Sequence, residues 1–106
     1  MSALSRHEAI APFAAIGITA FTTTRAAGDF ALGEMEPLPA GVARWEQLVQ
    51  ELTPEALRLA SARQVHGATV LTHEADFRGW RRQDAADGHF THSAGTALAI
   101  TVADCV

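Results

Sequence analysis

The chain has 106 residues, 48% of them apolar and 19% charged, with a net charge of −4. That length and composition describe one globular domain with a core, residues 1–106, rather than a disordered segment. The acidic balance excludes a general nucleic-acid binder, which needs a basic face to neutralise phosphates. All eight basic residues are Arg, so the chain can form neither a lysine Schiff base nor a Walker A phosphate loop.

Residues 9–21 are apolar enough to be tested as a signal segment. Glu8 abuts them, Pro12 interrupts them and no small-x-small cleavage site follows cleanly, so a cytoplasmic location is expected. The stretch is too short to span a bilayer, and no membrane association is expected. A single cysteine cannot form an internal disulfide, which fits a reducing compartment.

Residues 16–24, IGITAFTTT, are rich in β-branched and aromatic types and predict a strand. Residues 25–33, RAAGDFALG, predict a glycine-punctuated loop that EPLPAG prolongs to Gly41. Val42, Trp45, Leu48, Val49 and Leu52 then recur at helical spacing, which predicts an amphipathic helix over residues 41–52. Thr53 and Pro54 break that pattern.

From Leu57 the period changes to two. Leu57, Leu59 and Val65 fall on one face of the predicted strand, and Arg58, Ala60, Ala62, Gln64 and His66 on the other. Gly67 allows a kink before extended structure resumes at Val70 and Leu71. The polar stretch around Trp80, Arg81 and Arg82 predicts a solvated excursion. Residues 96–106, TALAITVADCV, alternate while staying apolar on both faces, as at the centre of a covered sheet. The order strand, helix, strand, loop, strand gives a mixed α/β fold.

Candidate chemistry centres on His66, which shares a face with Ala60 and Ala62, and on Cys105, which shares one with Ala97, Ala99 and Ala103. Small neighbours leave room beside a reactive group. An imidazole and a thiolate from separate strands suit either zinc or copper ligation or a Cys/His nucleophilic pair. His89 and His92 are candidate spare ligands, with surface positions as the plainer expectation; His7 and His73 carry no specific signal. Asp87, in DAADGHFTH, sits in a turn feeding the last strand.

Taken together, RQVHGATV (residues 63–70) and ADGHFTHSAGTALAITVADCV (residues 86–106) resemble the laccase-domain family, whose members are also called multicopper polyphenol oxidases or bacterial purine nucleoside phosphorylases. ITAFTTTRAAG resembles that family's F-[ST]-[ST]-R-x-G-G segment; the likeness is weak between residues 25 and 63. The resemblance implies a laccase-domain sandwich with a mixed sheet and flanking helices. It also implies a chain that represents the N-terminal part of the enzyme, ending within the A-D-C strand. His66 and Cys105 would be two of three metal ligands, with zinc as the metal and copper as the alternative. The implied partners are a purine nucleoside (adenosine, inosine or methylthioadenosine) and phosphate, with adenosine deamination as a further activity. Substrate contacts carry over to Arg25, which suits phosphate or ribose oxygens, to Gln64 and to Asp87. Little or no activity is expected of this polypeptide alone. Copper-dependent polyphenol oxidation, a Cys-nucleophile hydrolase and a non-catalytic remnant are the rival readings. Two departures bear on specificity: Arg-Ala-Ala-Gly lacks the first glycine of the family's pair, and Ala31 replaces the asparagine of its N-L-G.

Overall fold

A computed structural model describes residues 6–32 and 39–102, and the fold is a mixed α/β one. The chain divides into two compact units, Met1–Arg44 and Trp45–Val106.

In the first unit, β1 (His7–Ala9) pairs antiparallel with β2 (Phe21–Thr23), with His7 opposite Thr23 and Ala9 opposite Phe21. The predicted strand over residues 16–24 is therefore shorter than its β-branched composition suggests. Pro12 sits in the first turn of a 3₁₀ helix, Ala11–Ile16, whose fixed φ and missing N–H favour a helical start. Gly17, at φ 77°, ends that helix by donating its N–H to the Ala14 carbonyl at 3.1 Å. A second 3₁₀ turn, Arg25–Ala27, replaces the start of the expected loop. Beyond it the Asp29 carboxylate accepts the Ala31 N–H at 2.9 Å, and Arg44 donates to the Asp29 carbonyl at 3.2 Å.

The helix α1 (Pro39–Leu52) begins two residues before the predicted start at Gly41, with proline in its first turn. Its apolar stripe is buried at Trp45 and Leu48, and it stops where Thr53 caps the Val49 carbonyl through both its N–H (3.1 Å) and its hydroxyl (2.9 Å).

The second unit is built on parallel pairing. β3 (Arg58–Ala62), β5 (Gly79–Gln83) and β7 (Thr96–Leu98) form one sheet in the order β5-β3-β7, all parallel. β4 (Val70–His73) and β6 (Gly88–Thr91) form a separate parallel pair. Each connection between the strands of the first sheet thus carries one strand of the second. Leu59, Ala60 and Ser61 of the central strand β3 are all buried, as expected of a parallel strand covered on both faces.

The stretch around Trp80, Arg81 and Arg82 is not a solvated excursion but the half-buried strand β5. Trp80 stacks on Trp45 with ring centroids 5.5 Å apart and planes within 2°, and its indole N–H donates to the Ser61 hydroxyl at 2.8 Å. Burial of the aromatic ring and of the Arg81 stem outweighs the local polarity. Of the strand expected over residues 96–106, the described residues form β7 over Thr96–Leu98, paired with β3, and Leu98, Ile100 and Val102 are 40%, 62% and 71% exposed.

Candidate functional site

Because β3, β5 and β7 run in one direction, the residues that follow them emerge at the same carboxyl edge of the sheet, where open α/β sheets bind ligands. The segments that emerge there are residues 63–67 after β3, 84–87 after β5 and 99–102 after β7.

The first segment leaves extended structure sooner than its period-two pattern predicts. β3 ends at Ala62, and His66 takes a left-handed backbone conformation with φ 58°. Its side chain therefore does not continue the face of Ala60 and Ala62. For a residue with a Cβ that conformation costs about 1–3 kcal/mol unless its surroundings impose it.

Asp87 imposes it. One carboxylate oxygen of Asp87 accepts the N–H of Val65 at 3.1 Å and of His66 at 2.9 Å; the other accepts Gly67 at 2.8 Å and Val65 at 3.2 Å. Three consecutive amides converging on one anion make a nest that needs this local backbone shape. Donation from the Gly67 amide, followed by those of Val65 and His66, holds the Asp87 carboxyl below the usual carboxylate range. Asp87 is fixed in turn by its own backbone, whose N–H donates to the Thr69 carbonyl at 3.1 Å, and by the neighbouring Ala86, fully buried and bonded to the Arg63 carbonyl at 3.2 Å. Arg63 also pairs with Asp84, and that contact lowers the Asp84 carboxyl.

Gln64 makes a second clamp. After the last backbone rung, Ala99 N–H to the Ala60 carbonyl at 3.0 Å, the Gln64 carboxamide stands in for a strand. It donates to the Thr101 carbonyl at 3.0 Å and accepts the Thr101 N–H at 2.7 Å and hydroxyl at 3.0 Å.

The outcome for His66 is an exposed side chain on a pinned backbone, with no ring hydrogen bond among the described residues. A shallow cavity of ≈ 150 Å³ lies beside it in the chain, lined by Gly67, Ala68, Thr69, Val70, Asp87 and Gly88. A neutral imidazole held this way can donate a ring nitrogen to a metal. Among the described residues no three His, Cys, Asp or Glu side chains gather into a metal site. A cation bound by His66 would thus need donors from elsewhere. Cys105 lies outside the described residues, and so does the side chain of Arg25, whose backbone opens the second 3₁₀ turn.

The structure also forms a cluster that sequence reading missed. His73 is fully buried, with Nε2 2.8 Å from Nδ1 of His89 and Nδ1 3.2 Å from an Arg81 guanidinium nitrogen. A guanidinium can only donate, so Nδ1 of His73 accepts, its Nε2 carries the proton, and His89 accepts in turn. That leaves Nε2–H of His89 buried without a partner among the described residues. Burial lowers the affinity of both rings for a second proton, and the Arg81 charge lowers that of His73 further. His89 is thus half-buried rather than a surface residue. The available signal was alternation in β4, which puts His73 on the face of Leu71.

The family model described as multi-copper polyphenol oxidoreductase laccase matches residues 35–106, more than half of the chain, and the chain belongs to that family. No curated protein and no solved structure matches it. No helix among the described residues is long and apolar enough to cross a membrane.

Proposed function

We propose that the chain carries part of the metal centre of a purine nucleoside phosphorylase, with His66 and Cys105 as ligands and zinc as the metal. The observation that supports this most is the presentation of His66. Its backbone is pinned by the Asp87 carboxylate while its ring is exposed and free of hydrogen bonds to the described residues. A purely structural histidine is more often held by its ring, as His73 is here. Zinc with an open position supplies Lewis-acid polarisation of a bound oxygen. On this reading adenosine, inosine or methylthioadenosine reacts with phosphate to give free base and ribose 1-phosphate, and adenosine deamination is a side activity. Arg25 is the proposed phosphate-binding residue on its match to the T-R motif, and Gln64 the proposed support of the segment that leads toward Cys105.

The family description favours a second reading, copper-dependent oxidation of phenols. A multicopper centre needs several free imidazoles, whereas His73 and His89 are bonded to each other and His73 also to the Arg81 guanidinium. Zinc is therefore the preferred metal.

Zinc content and turnover of the full-length protein separate these readings. His66→Ala and Cys105→Ser should each lose zinc relative to the parent, and base release should require phosphate. Equal zinc in all three proteins, or phenol oxidation with copper and no base release with zinc, overturns the proposal.

A further inference from the structure

We infer that Asp87 is a positioning residue: its carboxylate holds residues 65–67 in the shape that aims the His66 imidazole. The inference rests on the metal reading of His66 for its binding arm alone; its backbone arm is independent of any metal.

The geometry assigns this role in three steps. First, three backbone N–H groups engage both carboxylate oxygens of Asp87 at 2.8–3.2 Å, His66 on one, Gly67 on the other and Val65 shared between the two. Three of the roughly four lone-pair directions of a carboxylate are thus taken by the chain's own backbone, and the role this supports is holding that backbone. Second, the bonded amides are those of His66 and its two chain neighbours, and His66 is the residue at φ 58°. The anion and the left-handed backbone require one another, because three successive amides point to a common centre only when the chain turns this way. Third, Asp87 is held rigidly enough to transmit position. Its N–H and that of Gly88 both bond the Thr69 carbonyl, at 3.1 and 3.2 Å, and Ala86 before it is fully buried. A Cβ on Gly88 would approach Val70 to 3.1 Å, so the turn packs closely as well.

The charge and both oxygens matter. Asn in place of Asp keeps the shape but puts an NH₂ group against a backbone N–H, leaving at least one amide unbonded. The loop then relaxes toward ordinary negative φ at His66, which swings the ring, although His66 itself is unchanged.

Two measurements on the full-length protein, with Asp87→Asn and Asp87→Ala, test this. The first is amide hydrogen exchange without metal. The His66 and Gly67 amides should exchange roughly tenfold or more faster in both variants, as expected for loss of a charge-assisted bond, with the Ala99 amide as an unchanged internal reference. The second is Zn²⁺ titration. Affinity should fall by about 10–100-fold, the usual effect of removing a residue that orients a ligand. The same Asp87 substitution should have no further effect in a His66→Ala background. Unchanged exchange at His66 and Gly67 in Asp87→Asn overturns the inference, as does unchanged zinc affinity in a protein whose binding depends on His66. Zinc binding that is indifferent to His66→Ala overturns the metal reading instead, and the exchange data alone then decide the clamp.

Discussion

Replacing Gln64 by Ala removes the side chain that carries the pairing on past the last backbone rung, at Ala99 and Ala60. In the parent its carboxamide forms the only link from β3 to Thr101 among the described residues. It donates to the carbonyl at 3.0 Å and accepts the N–H at 2.7 Å and the hydroxyl at 3.0 Å. Thr101 is exposed, so its freed groups find water and no desolvation penalty is stranded. The loss is therefore the net value of the two backbone bonds, about 0.5–1.5 kcal/mol each, or about 1–3 kcal/mol of local stability. Local opening at Thr101 should become more frequent by about 5–150-fold, and the global midpoint should move little. Amide exchange at Thr101 reads that factor directly, against the Ala99 amide bonded to Ala60 as reference. Gln64→Glu sharpens the test: a carboxylate still accepts the Thr101 N–H but faces its carbonyl without a proton, so protection should fall between parent and Gln64→Ala. Thr101 exchange that is the same in all three proteins would refute this account of Gln64.

Two further predictions concern the core of the second unit. The His73–His89 pair links stability to pH: burial lowers both rings from the ordinary value of 6.5, so the unfolded chain binds more protons below that value. Their contribution is complete above pH 6.5 and is lost as pH falls from there through the depressed folded values. In denaturant titrations between pH 7.5 and 5.5, His73→Gln, whose amide can accept from Arg81 and donate to His89, should lose less stability than the parent; equal losses would refute the linkage. Trp80→Phe keeps a ring on Trp45 but strands the Ser61 hydroxyl, which is 3% exposed, at a cost of about 1–3 kcal/mol. Adding Ser61→Ala should recover part of that in urea unfolding, and strictly additive losses would contradict it.

What was legible in the sequence depended on how local the controlling interaction was. The helix could be read because its stripe, Trp45 and Leu48 with flanking Val42 and Val49, is repeated every turn. The start of β3 could be read from Leu59, but not its end. The turn at His66 is dictated by a carboxylate 21 residues further along, which no window over residues 57–66 contains. β5 was hidden for the same reason. Arg81 looks solvent-directed until Phe77 lies 3.9 Å from its guanidinium and Nδ1 of His73 accepts a hydrogen bond from it. The apolar run over residues 96–106 was legible as a strand, and among the described residues it forms one over Thr96–Leu98, beside β3. Of the candidate residues, His66, Gln64 and Asp87 were picked out by motif and prove to share one edge. The manner in which the latter two act, on backbone rather than on each other's side chains, was not readable.

The parallel topology explains why residues so far apart in the chain belong together. Parallel strands deliver all their exits to one edge, but they also end their hydrogen-bond ladders there, so the emerging segments need other partners. In this unit two side chains supply them: Asp87, from the β5 exit, bonds the amides of the β3 exit, and Gln64, from the β3 exit, bonds the backbone of the β7 exit. Each clamp joins two different exits, and the β3 segment takes part in both. His66 sits between them, the residue after Val65, which Asp87 holds, and two after Gln64, which holds Thr101. Rigid backbone around a side chain left unbonded is the arrangement a binding centre requires, because orientation is set before any ligand arrives. The order β5-β3-β7 thus makes the middle strand's exit the place where such a side chain is best supported, and that exit is where His66 stands.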